Sequence, residues 1–424
     1  MELLFFILIL FVVCFYIWFF PFNRRSQTHI SIIAEPATFS LIILCVTAWI
    51  GVITIYFLRE GHYFNKVVFN YTKNDGLILI FVTAAVFLMS YVSKVNVRFL
   101  RKVHLYSQSK IDGVDWLIII IISLIFSYYL YVDGHFILGM FQAKNQYAIM
   151  ALRKASTSAG SDYLFKKVVL EGVFWVSLLY YYSVSNRTKS FTTFLYIVTF
   201  IFSLFLLISL KKISLVMLYL SIYLVVNYNS KFSFVKLFKL ILYFILFMFF
   251  VYFLLIKNVD LEYMLSPFRE GLIGRIFISE VSSLYAHMEI FQNNHLGLES
   301  LSRSFSKLLG IGFSPRSGEI VMATVNPSWV EMGIGGTYNT LFLGEAFANF
   351  SYYGLVFSIL YVPLFYLFIV RSIVIFPVKF RVPFLIYLSL NVNIMSGFND
   401  FIYDPFLVLI YFVFMLRAFL VKKR

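Results

Sequence analysis

The chain opens on MELLFFILILFVVCFYIWFF, and apolar runs of this length recur almost to its last residue. A helix needs roughly 20 such residues to cross the hydrocarbon of a bilayer, where every backbone N–H and C=O must be bonded within the segment. Counted this way there are about eleven runs, near 2–22, 37–58, 76–93, 114–132, 168–184, 191–210, 213–228, 240–257, 342–370, 380–396 and 402–420. They are continuous and lack the two-residue alternation of a membrane barrel. The expected fold is therefore all-α, a single polytopic membrane domain over 1–424 with about 11 transmembrane helices. The first run lacks a basic leader and a small-residue cleavage site, so it is expected to be a retained span.

Composition agrees: 61% of the residues are hydrophobic and only 13% charged, about half the charged share of an average soluble chain. The formal net charge of +15 serves topology and headgroup contact in such a chain. No basic helix or aromatic platform points to nucleic acid, so no nucleic-acid partner is expected. Cys14 and Cys45 both lie in apolar runs and read as buried thiols without a disulfide or redox motif.

Lysine and arginine orient the spans. The segment 94–113 carries Lys94, Arg98, Arg101, Lys102 and Lys110, and the tail RAFLVKKR is equally basic. Both are assigned to the cytoplasm, which places the amino end outside and the carboxyl end inside. Two outside loops follow, a smaller one at 133–167 and a large one at 258–341. The large loop reads as structured: FISEVSSLYAHMEIF puts Phe277, Val281, Leu284, Met288 and Phe291 on one helical face and Glu280, Ser283 and His287 on the other. LESLSRSFSKLLG is a second helical pattern, stopped by Gly310.

No phosphate-binding loop, HExxH or G-x-S-x-G elbow occurs in this context. The outside loops instead hold arginines where the topological bias disfavours them: Arg153, Arg269, Arg275 and Arg303. Converging guanidinium forks suit a diphosphate, and Arg275, beside Gly274 at an apolar helix start, is the strongest of them. Lys307 and Arg316 read as solvated surface. His287 and His295 lack a metal-ligand spacing, so no metal site and no cofactor is expected.

The segment GGTYNTLFLGEAFANFSYYG carries a carboxylate across the border into the ninth run. With a helix starting near Asn339, Glu345, Asn349 and Tyr352 share a stripe, and Gly344, Ala348 and Ser351 form a small-residue stripe beside it. A carboxylate at a membrane border is costly and by default faces a cavity or a cation; the alternative is a glutamate serving its own helix's first-turn amides. Asn399, Asp400 and Asp404, in the last outside turn, are candidates to neutralise loop arginines or to line the same vestibule.

Many spans, one long arginine-bearing outside loop, and Gly-Glu-Ala-Phe-Ala-Asn-Phe (344–350) at its exit resemble the bacterial O-antigen polymerases. That family's loop exit reads Gly-Glu-Ala-aromatic-x-Asn-aromatic-Gly, and Ser351 departs from its last glycine. The related O-antigen ligases carry a histidine before the asparagine at the loop exit, where this chain has Thr337-Tyr338-Asn339. The resemblance implies a GT-C-like membrane glycosyltransferase in the bacterial inner membrane, with its large loop periplasmic. It implies transfer of a growing glycan from undecaprenyl diphosphate to an acceptor repeat unit on the same lipid, alongside a chain-length regulator protein. On that reading Arg153, Arg269, Arg275 and Arg303 would bind diphosphate. Glu345 with Arg275 would be catalytic, and Asn339, Asn349 and Tyr352 would meet the acceptor. The rivals are a flippase for the lipid-linked unit and an O-antigen ligase. The long structured loop and the lack of a repeat relating the halves weigh against a flippase.

Overall fold

A computed structural model describes residues 30–49, 51–52, 55, 71–105, 165–184, 189–208, 212–231, 279–301, 309–331, 337–392, 394–395 and 397–422, with isolated positions between them. The described residues are helical, without a strand, and three helices are long and apolar enough to cross a membrane: Gly76–Leu100, Phe342–Ile375 and Asn399–Leu416. The protein is an all-helical membrane protein. Of the expected spans, 2–22 lies outside the described residues, and 114–132 and 240–257 are described only at isolated positions.

The helices are α1 (Pro36–Ile43, continued as a π-helical stretch Leu44–Trp49), α2 (Tyr71–Leu100) and α3 (Trp175–Ser183, entered through the π-helical Phe165–Phe174). Next come α4 (Lys189–Ile208), α5 (Lys212–Val226), α6 (Ser279–Ile290) and α7 (Ser317–Val325). The chain ends with α8 (Phe342–Ser372), α9 (Val378–Asn391), the single turn α10 (Asn399–Ile402) and α11 (Pro405–Lys422).

Local sequence explains where the helices begin. Glu35-Pro36 starts α1: the carboxylate accepts from the N–H groups of Ala37 (3.0 Å) and Thr38 (2.6 Å), and proline occupies a position with no N–H to lose. Asp404-Pro405 starts α11 in the same manner, with Asp404 Oδ1 accepting from Phe406 N (2.9 Å) and Leu407 N (3.0 Å).

α8 is the central mast, packed along α2 and against α1, α6 and α10. Its outward face carries Val356, Phe357, Leu360, Leu364 and Phe368, all exposed on the protein surface. An apolar stripe of that size belongs against lipid. Inside, the helices are tied by buried polar bonds. Ser40 Oγ donates to Tyr366 Oη (2.7 Å), which donates to Val392 O (2.7 Å). Asn96 Nδ2 donates to Glu35 Oε1 (2.9 Å), and Ser389 Oγ donates to Ala34 O (2.7 Å). These bonds join α1, α2, α8 and α9 where lipid offers no alternative partner.

The ninth run is not one helix. Phe350 (φ −137°, ψ 18°) and Ser351 (φ 58°, ψ −148°) leave helical geometry and split α8 into a buried start, Phe342–Asn349, and a long second part from Tyr352. The break is tight: Gly354 lies so close to the Ala346 carbonyl that a Cβ there would overlap it. Leu296 N–H reaches in to bond Ala348 O at 3.0 Å, serving a carbonyl that the break orphans.

Candidate functional site

The start of α8 meets the turn 397–400 and the N-terminus of α7 at one end of the mast. Phe342 N–H donates to Ile394 O (2.9 Å), so the start of α8 is met by the backbone of Ile394 rather than by a capping side chain. That leaves the Glu345 carboxylate free of the helix's own amides. It is 5% exposed and faces Arg316 at the N-cap of α7.

The pairing is a fork. Arg316 Nε donates to Glu345 Oε1 at 3.0 Å, and Nη2 donates to Oε2 at 3.2 Å. Asn399 N–H adds a third bond to Oε2 at 2.9 Å. Arg316 Nη2 also lies 3.7 Å from Asp400 Oδ1. Two parallel bonds to one carboxylate fix both position and plane of a guanidinium, and Glu345 therefore orients Arg316. The arginine side chain is 35% exposed, and it stands at the edge of an open cleft. Gly397 makes room for the pair: its φ is +94°, and a Cβ there would overlap Glu345 Oε2 and sit 3.3 Å from Arg316 Nη2.

A cleft of about 50 Å³ opens beside the fork, lined by His287, Arg316, Ser317, Thr337, Tyr338, Asn339, Thr340 and Glu345 among others. The lining is rich in hydroxyl and amide groups. Gly318 lets the backbone of residue 338 approach, since a Cβ there would sit 2.7 Å from Tyr338 O. Tyr338 N–H in turn donates to Gly318 O at 2.9 Å.

His287, on α6, is fully buried. Its Nδ1 lies 2.7 Å from Ser283 O and its Nε2 lies 3.2 Å from Ser317 Oγ. Burial drives its pKa down to about 4, opposed by the hydrogen bond to Ser283, so the ring is neutral near pH 7. Glu280, one turn earlier, is pushed up to about 8 by burial. Its Oε2 has no hydrogen-bond partner among the described residues.

The structure sorts the sequence candidates. Glu345 and Asn339 line the cleft. Asn349 is buried one turn on and interlocks with Asn399: its Nδ2 donates to Asn399 Oδ1 (3.1 Å), it accepts from Ser300 Oγ, and Asn399 Nδ2 donates to Ser300 O (2.9 Å). Asn349 thus clamps the turn that holds Glu345. Tyr352 lies beyond the break, 44% exposed and edge-on to Phe347, because Ser351 interrupts the stripe that would have aligned it with Glu345. Arg153, Arg269, Arg275 and Arg303, and also Lys307, lie outside the described residues.

Two expectations change. Arg316, by its sequence a residue of the solvated surface, instead pairs with Glu345 across 29 positions of sequence. His287, expected on the polar face of α6, is hydrogen-bonded there but does not meet solvent, since the helix packs against α8 and α7 and buries that face too. Asp400 does stand beside an arginine, and Asp404 lies 4.0 Å from Lys167. Among the described residues no group of three His, Cys, Asp or Glu is placed to hold a metal ion.

Comparison with family models, with curated proteins and with solved structures returns no match to this chain.

Proposed function

We propose that this protein is a membrane glycosyltransferase of the O-antigen polymerase type. It would transfer a growing glycan from undecaprenyl diphosphate to the repeat unit on a second lipid, at the periplasmic face of the bacterial inner membrane. The single observation that carries the reading is the fork of Glu345, from the Gly-Glu-Ala-Phe-Ala-Asn-Phe segment, onto Arg316 at the mouth of a hydroxyl- and amide-lined cleft. Such a lining matches the many hydroxyls of a sugar. An oriented guanidinium at the mouth of such a cleft offers bonds to oxygens that gain charge as a diphosphate leaves. The proposal includes about eleven spans with the large loop outside, a GT-C-like arrangement, and a chain-length regulator as partner. The flanking apolar helices would admit the polyprenyl tails, and diphosphate would be gripped further by Arg153, Arg269, Arg275 and Arg303.

The test is replacement in a strain that makes the glycan. Arg316→Ala and Glu345→Ala are each expected to leave single repeat units on the lipid core, without the long-chain ladder, at wild-type protein level. Ladders of wild-type length from both variants refute the assignment. Repeat units retained on the inner face of the membrane would identify a flippase, and loss of all attached glycan a ligase.

A further inference from the structure

The cleft contains a histidine whose hydrogen-bond roles are fixed by geometry. A carbonyl oxygen only accepts, so the 2.7 Å contact between Ser283 O and His287 Nδ1 puts the ring proton on Nδ1. Nε2 then presents a lone pair, and Ser317 Oγ stands 3.2 Å in front of it. The serine hydroxyl donates to that lone pair and keeps its own lone pairs for a donor arriving from the cleft. Ser317 is the first residue of α7, immediately after Arg316, so the fork that orients the arginine also sets the height of the hydroxyl. Both His287 and Ser317 are buried, and both line the cleft that Glu345 and Arg316 border. Glu345 itself is committed to three donors, whereas His287, among the described residues that line this cleft, has a ring nitrogen lone pair reached through a hydroxyl.

We infer that His287 is the proton acceptor of this site, taking the proton of the attacking sugar hydroxyl through Ser317 Oγ. The inference rests on the glycosyltransferase reading above. In the step, the acceptor oxygen bonds to the anomeric carbon of the donor glycan, and the bond from that carbon to the diphosphate oxygen breaks with its electron pair. The hydroxyl proton passes to Ser317 Oγ as the serine's own proton passes to His287 Nε2. The imidazolium so formed later yields its proton to water. Ser317 touches the substrate, and His287 acts through it.

The test uses purified full-length protein in lipid with lipid-linked repeat units. His287→Gln keeps a group able to bond Ser317 but cannot take a proton, and it is expected to slow chain extension by about 10²–10⁴-fold while binding of the lipid-linked unit is unchanged. His287→Ala is expected to be slow as well and to be partly restored by added imidazole, more so by more basic imidazoles. Ser317→Ala is expected to be slow without such restoration. Wild-type extension by His287→Gln overturns the inference. So does a parallel loss of binding and rate that imidazole leaves untouched, the mark of a merely structural histidine. A second readout is independent of the reaction: ¹⁵N spectra of histidine-labelled protein, assigned by difference against His287→Gln, are expected to show Nδ1 protonated and Nε2 bare at neutral pH. The opposite tautomer overturns the inference even where the protein polymerises. Wild-type protein that extends no chains with the expected tautomer overturns the polymerase reading and, with it, the step written here.

Discussion

Replacing Ser351 by glycine should stabilise this protein, although glycine inside a helix ordinarily does the reverse. Ser351 holds φ 58° and ψ −148°, a region that residues with a Cβ enter at a cost of about 1–3 kcal/mol and glycine enters freely. Against that gain stands the larger freedom glycine loses on folding, about 0.5–1 kcal/mol. The balance favours Ser351→Gly by about 1 kcal/mol, roughly a fivefold change in the unfolding equilibrium. Ser351→Ala keeps the Cβ and should match the parent, and Ser351→Val, with a branched Cβ at positive φ, should be the least stable. Unfolding in mixed micelles, or thermal melts in one detergent, gives the order. The expected series is Gly above Ser, Ser equal to Ala, and Val lowest. A regular helix through 351 would instead place Ala first and Gly about 1 kcal/mol below it; that order refutes the break in α8.

Gly397→Ala leaves every charge in place, yet its methyl would overlap Glu345 Oε2 at a φ of +94°. It should abolish the long-chain ladder as fully as Glu345→Ala does, at a protein level checked by immunoblot, and a normal ladder would show that the 397 turn does not confine the fork. Glu280 has its pKa raised to about 8 by burial, so between about pH 4.5 and pH 8 the folded protein keeps a proton that the unfolded chain has lost. Stability from this group is full below that window and gone above it. Glu280→Gln should therefore raise the melting temperature at pH 9 and leave it unchanged at pH 4; an equal shift at both values would mean that the carboxyl is not held neutral.

The apolar runs made the helices legible because a bilayer demands about 20 apolar residues whatever surrounds them. Helices do stand over 36–49, 71–100, 165–183, 189–208, 212–226, 342–349, 352–372, 378–391 and 405–422. Glu345 was legible for the same reason, since one carboxylate among apolar residues is conspicuous on energetic grounds alone. What surrounds it was not. Arg316 sits in the polar turn GIGFSPRSG, where an arginine is unremarkable, and only the packing of α7 against the start of α8 brings it to the carboxylate. His287 looked amphipathic in placement because periodicity reports the contrast between faces; a helix covered on both sides can bury its polar face if hydrogen bonds await it there, and Ser283 O and Ser317 Oγ supply them. Tyr352 fell out of the site because a hydrophobic run has the same period on either side of a break, so nothing in its pattern announces Ser351. Local chemistry thus carries the solvent of each segment and the cost of each buried charge, which are properties of a residue and its near neighbours. The partner of each charge and the direction of each side chain after a break depend on segments tens of residues apart, and those meet only in the folded chain.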